Sequence, residues 1–231
     1  SEHIVLTYKD NEALSESIIK EIESAQEKGK TSTYWANWWK VYGLGEVGSL
    51  QGVVFDNWKQ VDMIPGEAKL LGYGMDFGYT NDPTTLIAVH MMDNELYLDE
   101  LIYTTNLNNN EIGARLKALN VVRPHEIVCD SAEPKSINEL RLQGFNTQPA
   151  KKGPDSIKIG IDILKRYNIN ITKNSTNLIK ELRAYQWETD KEGKLTGKPV
   201  DHSNHAIDAV RYFALNNLNN RPRGKYATIS V

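Results

Sequence analysis

Asp76, Asp130 and Asp208 are the residues whose setting most needs a chemical explanation. Asp76 stands between Met75 and Phe77 in an otherwise apolar segment. A carboxylate there is costly unless it is paired, hydrogen-bonded or bound to a metal ion. Asp130 closes the run Ile127-Val128-Cys129-Asp130, which reads as a short buried strand. Ligands of α/β sheets gather at the carboxyl ends of strands. Asp208 sits among Ala206, Ile207, Ala209 and Val210, and His205 precedes it by three residues, so one helix face carries both. Clustered carboxylates repel one another unless cations neutralise them, and an all-oxygen set suits Mg²⁺ or Mn²⁺. Two such ions roughly 4 Å apart can activate a water and stabilise the leaving oxygen of a phosphodiester. Asp76 is the candidate to bridge both ions. His205 would complete one ion's shell and tilt the preference toward Mn²⁺. Asp201, Glu133 and Glu100 are further acidic candidates. Each residue alone also has an ordinary structural role: a strand Asp can cap a turn, a helix Asp can be solvated or salt-bridged, and a helix His can lie on the surface.

The elements that must carry these residues are legible from residue 70 onward. Segments 70–77, 85–92 and 95–103 read as strands, separated by the turn signals Asn81-Asp82-Pro83 and Asp93-Asn94. Such short connections favour antiparallel neighbours. Helices are expected over 110–119, 133–143, 155–167, 175–185 and 203–218, with strands at 126–130, 146–150 and 169–172. A Gly- and Lys-rich stretch at 191–198 reads as a hairpin or loop. Three antiparallel strands followed by crossover units predict an α/β fold, a mixed sheet with helices on its faces.

Residues 1–69 do not read as a self-contained domain. Residues 3–8 suggest a short strand and 14–28 an exposed charged helix. Tyr34, Trp35, Trp38, Trp39 and Tyr42 then form an aromatic-rich stretch that needs a surface to pack on. The expected division is an extension over 1–69, a domain over 70–218 and a polar tail over 219–231.

Composition narrows the chemistry. The single cysteine, Cys129, excludes an intrachain disulfide and a thiolate zinc cluster. No apolar run approaches the roughly 20 residues of a membrane span, and the first ten residues lack a signal peptide's basic region. The net charge of -3 hides an asymmetry. Residues 1–130 carry 10 Lys and Arg against 20 Asp and Glu, whereas residues 131–231 carry 17 against 10. Such a split can mark an anionic partner. Lys151, Lys152 and Lys158 fall near a helix start, a natural phosphate site, and Arg183, Lys191, Lys194 and Lys198 lie between the second and third aspartates. Together they are candidate contacts to a phosphate backbone, electrostatic and without sequence preference. Arg221, Arg223 and Lys225 in the tail are further basic residues.

Three segments carry a family resemblance: Gly74-Met75-Asp76-Phe77-Gly78-Tyr79-Thr80-Asn81-Asp82-Pro83, Val128-Cys129-Asp130-Ser131-Ala132-Glu133-Pro134, and Asn204-His205-Ala206-Ile207-Asp208-Ala209-Val210-Arg211-Tyr212. In that order, on those elements, residues 70–218 resemble the C-terminal nuclease domain of tailed-phage large terminase subunits. The resemblance implies an RNase H-like fold, two-metal cleavage of double-stranded DNA, and Asp76, Asp130 and Asp208 as metal ligands. His205 falls where one branch of the family has a helix histidine. The segment Trp38-Trp39-Lys40-Val41-Tyr42-Gly43-Leu44-Gly45-Glu46 is similar to the piece joining the family's ATPase to its nuclease.

The implied partners are DNA and the rest of a packaging motor (ATPase domain, portal, small subunit) in the cytoplasm of an infected bacterium. The isolated chain is expected to be a monomer with no membrane contact. No ATPase is expected here: the one Walker-like fragment, Gly29-Lys30-Thr31, has Ser24 where the first glycine belongs. Two other readings remain open, a resolvase- or transposase-type nuclease on the same fold and a non-catalytic docking module of the motor.

Overall fold

The computed structural model describes residues 7–10, 16–28, 30, 39–44, 52–190, 195–200 and 204–219. The chain divides into two compact units, residues 1–53 and 54–231. In the first, helix α1 (Glu16–Lys28) buries Ile22 and Ala25. Tyr8 packs edge-on to Trp39 with ring centroids 5.8 Å apart, so part of the aromatic stretch finds its surface within this unit. The strand expected at 3–8 lies mostly outside the described residues, and Tyr8–Asp10 forms a single 3₁₀ turn. Most of the aromatic stretch and the residues of the basic tail also lie outside them.

The second unit is built on a seven-stranded sheet in the order β1-β7-β4-β3-β2-β5-β6. Its strands are β1 (Trp58–Val61), β2 (Lys69–Asp76), β3 (Thr84–Met92), β4 (Glu95–Thr104), β5 (Glu126–Cys129), β6 (Thr147–Pro149) and β7 (Ile169–Thr172). β3 runs antiparallel to both its neighbours, and every other pairing is parallel. The β3–β4 hairpin turns on Asp93 and Asn94, both at positive φ, as a tight two-residue hairpin turn demands. The mixed sheet expected from the sequence is therefore observed, with one addition. The domain was expected to start at residue 70, yet the compact unit starts at Val54 and β1 pairs in parallel with β7. β1 is a short edge strand whose central residues are exposed, so it lacks the apolar alternation that would reveal it.

Helices cover both faces. On one, α2 (Asn109–Ala118) and α3 (Pro134–Leu142) enclose a core with Tyr73, Met75, Leu86, Ala88, Ile127 and Cys129. On the other lie α4 (Ser156–Leu164), α5 (Thr176–Ala184) and α6 (His205–Asn217). A separate two-stranded antiparallel sheet pairs β8 (Trp187–Thr189) with β9 (Leu195–Pro199); residues 191–194 of the stretch expected to be a hairpin or loop lie outside the described residues.

Strand periodicity sorts the side chains. Tyr73 and Met75 of β2 and Cys129 of β5 point to the α2/α3 face, so Gly74, Asp76, Val128 and Asp130 point to the α6 face. Gly74 is what lets α6 approach: a Cβ there would stand 1.9 Å from the carbonyl oxygen of Ala209. Backbone thus packs on backbone one residue from Asp208 and two from Asp76. Gly74→Ala should cost about 1–3 kcal/mol of stability in denaturant unfolding, as overpacking typically does. Gly66→Ala, with nothing within 4 Å of the added methyl, should be close to neutral. Equal effects from the two would contradict this account of the packing.

Candidate metal centre

Asp76 ends β2, Asp130 follows β5 directly, and Asp208 lies in the first turn of α6, three residues after His205. The carboxyl ends of two adjacent parallel strands and the start of one helix therefore meet at one end of the sheet. Tyr212, one turn beyond Asp208, ties the second and third carboxylates together. Its hydroxyl lies 3.2 Å from Asp130 Oδ2 and 3.5 Å from Asp208 Oδ2. Asp130 is also shaped locally, accepting the Ala132 N–H at 2.8 Å in an Asx turn.

Each carboxylate has its own basic partner. His205 Nδ1 lies 3.2 Å from Asp76 Oδ2, and its Nε2 lies 3.4 Å from Asp82 Oδ1. Lys152 Nζ bonds Asp130 Oδ1 at 2.5 Å and sits 4.5 Å over the Tyr212 ring. Arg211, 3% exposed, holds Asp208 Oδ1 through Nη2 at 2.7 Å and Nε at 3.2 Å. Gly160 of α4 makes room for it, since a Cβ there would lie 2.2 Å from Arg211 Cγ.

The ionisation of these groups follows from burial and pairing. Asp76, 8% exposed, is pushed above the usual carboxylate range by burial, assisted by Asp208 and Asp130 and opposed by His205. For Asp130 burial acts upward, but the Ala132 amide, Lys152 and Tyr212 outweigh it and hold the carboxyl low. His205 is raised, first by its hydrogen bond to Asp76. Burial opposes the charge on Arg211, and Asp208 more than restores it.

Among the described residues, no three His, Cys, Asp or Glu side chains stand close enough as they are to enclose an ion. The carboxylates are gathered at one end of the sheet but turned to Lys152, Arg211 and His205. The donor set itself, three carboxylates with one imidazole at its edge, is of the kind that could hold Mg²⁺ or Mn²⁺.

The other candidates separate. Glu100 is not at this site: its carboxylate caps α5, accepting the Leu178 N–H at 2.7 Å and Asn177 Nδ2 at 2.6 Å. Glu133 is exposed at the start of α3 and accepts the Ser136 hydroxyl at 3.3 Å. With Asp82, Glu139 and Tyr79 it lines a groove of about 530 Å³ whose lining holds neither Lys nor Arg. Asp201, Lys191 and Lys194 lie outside the described residues. Lys151, Lys158, Arg183 and Lys198 are exposed, and of the basic candidates described only Lys152 bonds a carboxylate of the cluster.

The profile of the terminase RNase H-like domain matches residues 76–216, a span that includes all three aspartates. The chain belongs to this family. The large terminase subunit of Bacillus phage SPP1 is 31% identical over 220 residues, covering 89% of this chain and 50% of that protein. This terminase chain thus spans half the length of that relative. The nuclease domain of the SPP1 large terminase, solved with bound Mn, matches with a TM-score of 0.62 at 29% identity, covering 69% of this chain and 96% of that one. The large terminase of a thermophilic bacteriophage, in complex with ADP, shares the fold with a TM-score of 0.59 at 21% identity, over 94% of this chain and 55% of that one. Among the described residues no helix is long and apolar enough to cross a membrane.

Sequence reasoning gave no role to Arg211 or Tyr212 and did not single out Glu181 at all. Glu181, on α5, is 4% exposed. It accepts the Ile207 N–H at 3.0 Å and the Tyr103 hydroxyl at 2.9 Å. Burial pushes its carboxyl up to about 7 from an ordinary 4.5. The folded protein therefore holds this proton more tightly than the unfolded chain. That contribution to stability is complete below the unfolded value and is lost as pH rises through about 7. Glu181→Gln cannot titrate, so its thermal midpoint relative to wild type should rise between about pH 5 and pH 8. A difference that stays flat over that range contradicts the shift.

Proposed function

We propose that this domain is a divalent-metal-dependent endonuclease that cuts double-stranded DNA during viral genome packaging. The observation that carries the reading is the convergence of Asp76, Asp130 and Asp208 at the carboxyl end of the sheet, on the face that α6 covers. Membership in the terminase RNase H-like family and the Mn bound by the SPP1 nuclease domain support it.

In this reading Asp76, Asp130 and Asp208 hold one or two Mg²⁺ or Mn²⁺ ions, with His205 as an additional ligand. Such ions supply Lewis acidity toward the phosphate and lower the pKa of a water. The protein's own part is positioning. The Tyr212 hydroxyl orients the Asp130 and Asp208 carboxylates, Arg211 fixes Asp208 from behind, and Asp82 holds the far nitrogen of His205.

Lys152 brings a cation to the edge of the cluster, where it can meet a phosphate oxygen. Lys151, Lys158, Arg183, Lys191, Lys194 and Lys198 would add backbone contacts without sequence preference. The acidic groove of Asp82, Glu133 and Glu139 repels a phosphate chain, which favours approach from the Lys152 side. Residues before the nuclease unit would join it to an ATPase domain. In support, the match to the ADP-bound large terminase covers 94% of the chain, against 69% for the isolated SPP1 nuclease domain. DNA, portal and small subunit are then the partners of the whole motor, in the host cytoplasm.

Supercoiled plasmid should be nicked and linearised in Mn²⁺ or Mg²⁺ and left intact in excess chelator. Asp130→Ala should lower the rate by more than about a hundredfold, because it removes a group required in the transition state. Cutting that survives the substitution undiminished overturns the assignment of the site.

A further inference from the structure

We propose that Glu181 is a positioning residue of this metal centre: a cap, supplied by α5, that holds the first turn of α6 and so fixes His205 and Asp208 against Asp76. The proposal rests on the metal-centre reading above. A helix leaves its first amides without intrahelical partners, and a side chain at the N-cap position ordinarily satisfies one of them. Here the N-cap residue Asn204 makes no such bond. Glu181 supplies it from another helix, accepting the Ile207 N–H at 3.0 Å. The turn so held contains His205 at its start and Asp208 at its end. On its sheet side the same turn is pinned by Thr85, whose hydroxyl donates to the His205 carbonyl at 3.2 Å.

The cap has a fixed frame behind it. The second oxygen of Glu181 accepts the Tyr103 hydroxyl of β4 at 2.9 Å. The start of α5 is tied to the same strand, because Glu100 accepts the Leu178 N–H and the Glu100 N–H donates to Ser175 Oγ at 2.8 Å. Two carboxylates therefore act in series, one from β4 capping α5 and one from α5 capping α6. A buried carboxylate is an expensive cap. Its negative charge matches the positive end of the α6 dipole, and removing it would leave the buried Ile207 amide and the half-buried Tyr103 hydroxyl without this partner. Glu181 touches the backbone of α6 and acts through it on the two side chains that turn carries.

The test is Mn²⁺ binding by titration calorimetry, with plasmid-nicking kinetics, on the full chain and its Glu181→Ala, Glu181→Gln and Leu182→Ala variants. Leu182 is equally buried on the same helix and bears no polar group, so it controls for a general loss of packing. Glu181→Ala should weaken Mn²⁺ binding about tenfold, the scale of a lost cap, and should lower kcat while leaving KM for DNA unchanged. Glu181→Gln keeps one acceptor oxygen for the Ile207 N–H and loses the charge and the acceptor of the Tyr103 hydroxyl, so it should weaken binding by about threefold. Leu182→Ala should lower the thermal midpoint and leave Mn²⁺ affinity at the wild-type value. Wild-type affinity in Glu181→Ala, or affinity lost in step by Leu182→Ala, overturns the proposal. If Glu181→Ala does not fold, Glu181→Gln binding no more weakly than Leu182→Ala overturns it equally. A wild-type chain that binds no Mn²⁺ overturns the metal-centre reading itself, and this proposal with it.

Discussion

The contact on which the rest depends is the one between Gly74 and the backbone of Ala209, where no side chain separates strand from helix. Helices usually rest on sheets at the distance their side chains dictate. Here the missing Cβ lets α6 sink onto β2, and every residue near that contact gains a neighbour it could not otherwise reach. Asp208 comes near enough to Asp76 to act on its ionisation, Tyr212 reaches Asp130 beyond the next strand, and Phe213, Ala214 and Leu215 fill the core that the approach closes. The side chains gather at the carboxyl end of the sheet because one helix lies unusually close to it.

Charge is the second constraint, and it follows from the first. Drawing three carboxylates together in a half-buried place is unfavourable unless positive charge is drawn in with them. The fold draws in a different basic side chain for each: His205 for Asp76, Lys152 for Asp130 and Arg211 for Asp208. These pairs differ in depth. Arg211 is locked between α4 and α6, so its pair with Asp208 is part of the scaffold, whereas Lys152 stands on a loop at the rim. A group at the rim can exchange its carboxylate for a phosphate, and a group in the wall cannot. The acidic end is thus rigid behind and adaptable in front.

Much of this was readable from the chain. Asp76 and Asp130 announce themselves as charges at the ends of apolar strands, and period-two alternation puts both on one face with Gly74. Their meeting with the first turn of α6 was legible as a pattern of motifs. What escaped did so for physical reasons. β1 is an edge strand with two exposed positions, so no alternation marks it. Glu100 looks like a site acid because it is a charge on a largely apolar strand, but its partner is the start of α5, which no local pattern reveals. Glu181 looks like any acid on an amphipathic helix, and only the tertiary approach of α6 shows that it is buried. Arg211 and Tyr212 were visible as residues of a motif, while their bonds to Asp208 and Asp130 depend on helix geometry and on a second strand.

Asp76, Asp130 and Asp208 are proposed to form one metal site. Crystals of the chain soaked in Mn²⁺ and measured for anomalous scattering test this most directly. One or two anomalous peaks should lie within coordination distance, about 2 Å, of carboxylate oxygens of these three residues. Fully soaked crystals with no peak among them, or with ions held instead at Asp82, Glu133 and Glu139, would contradict the proposal.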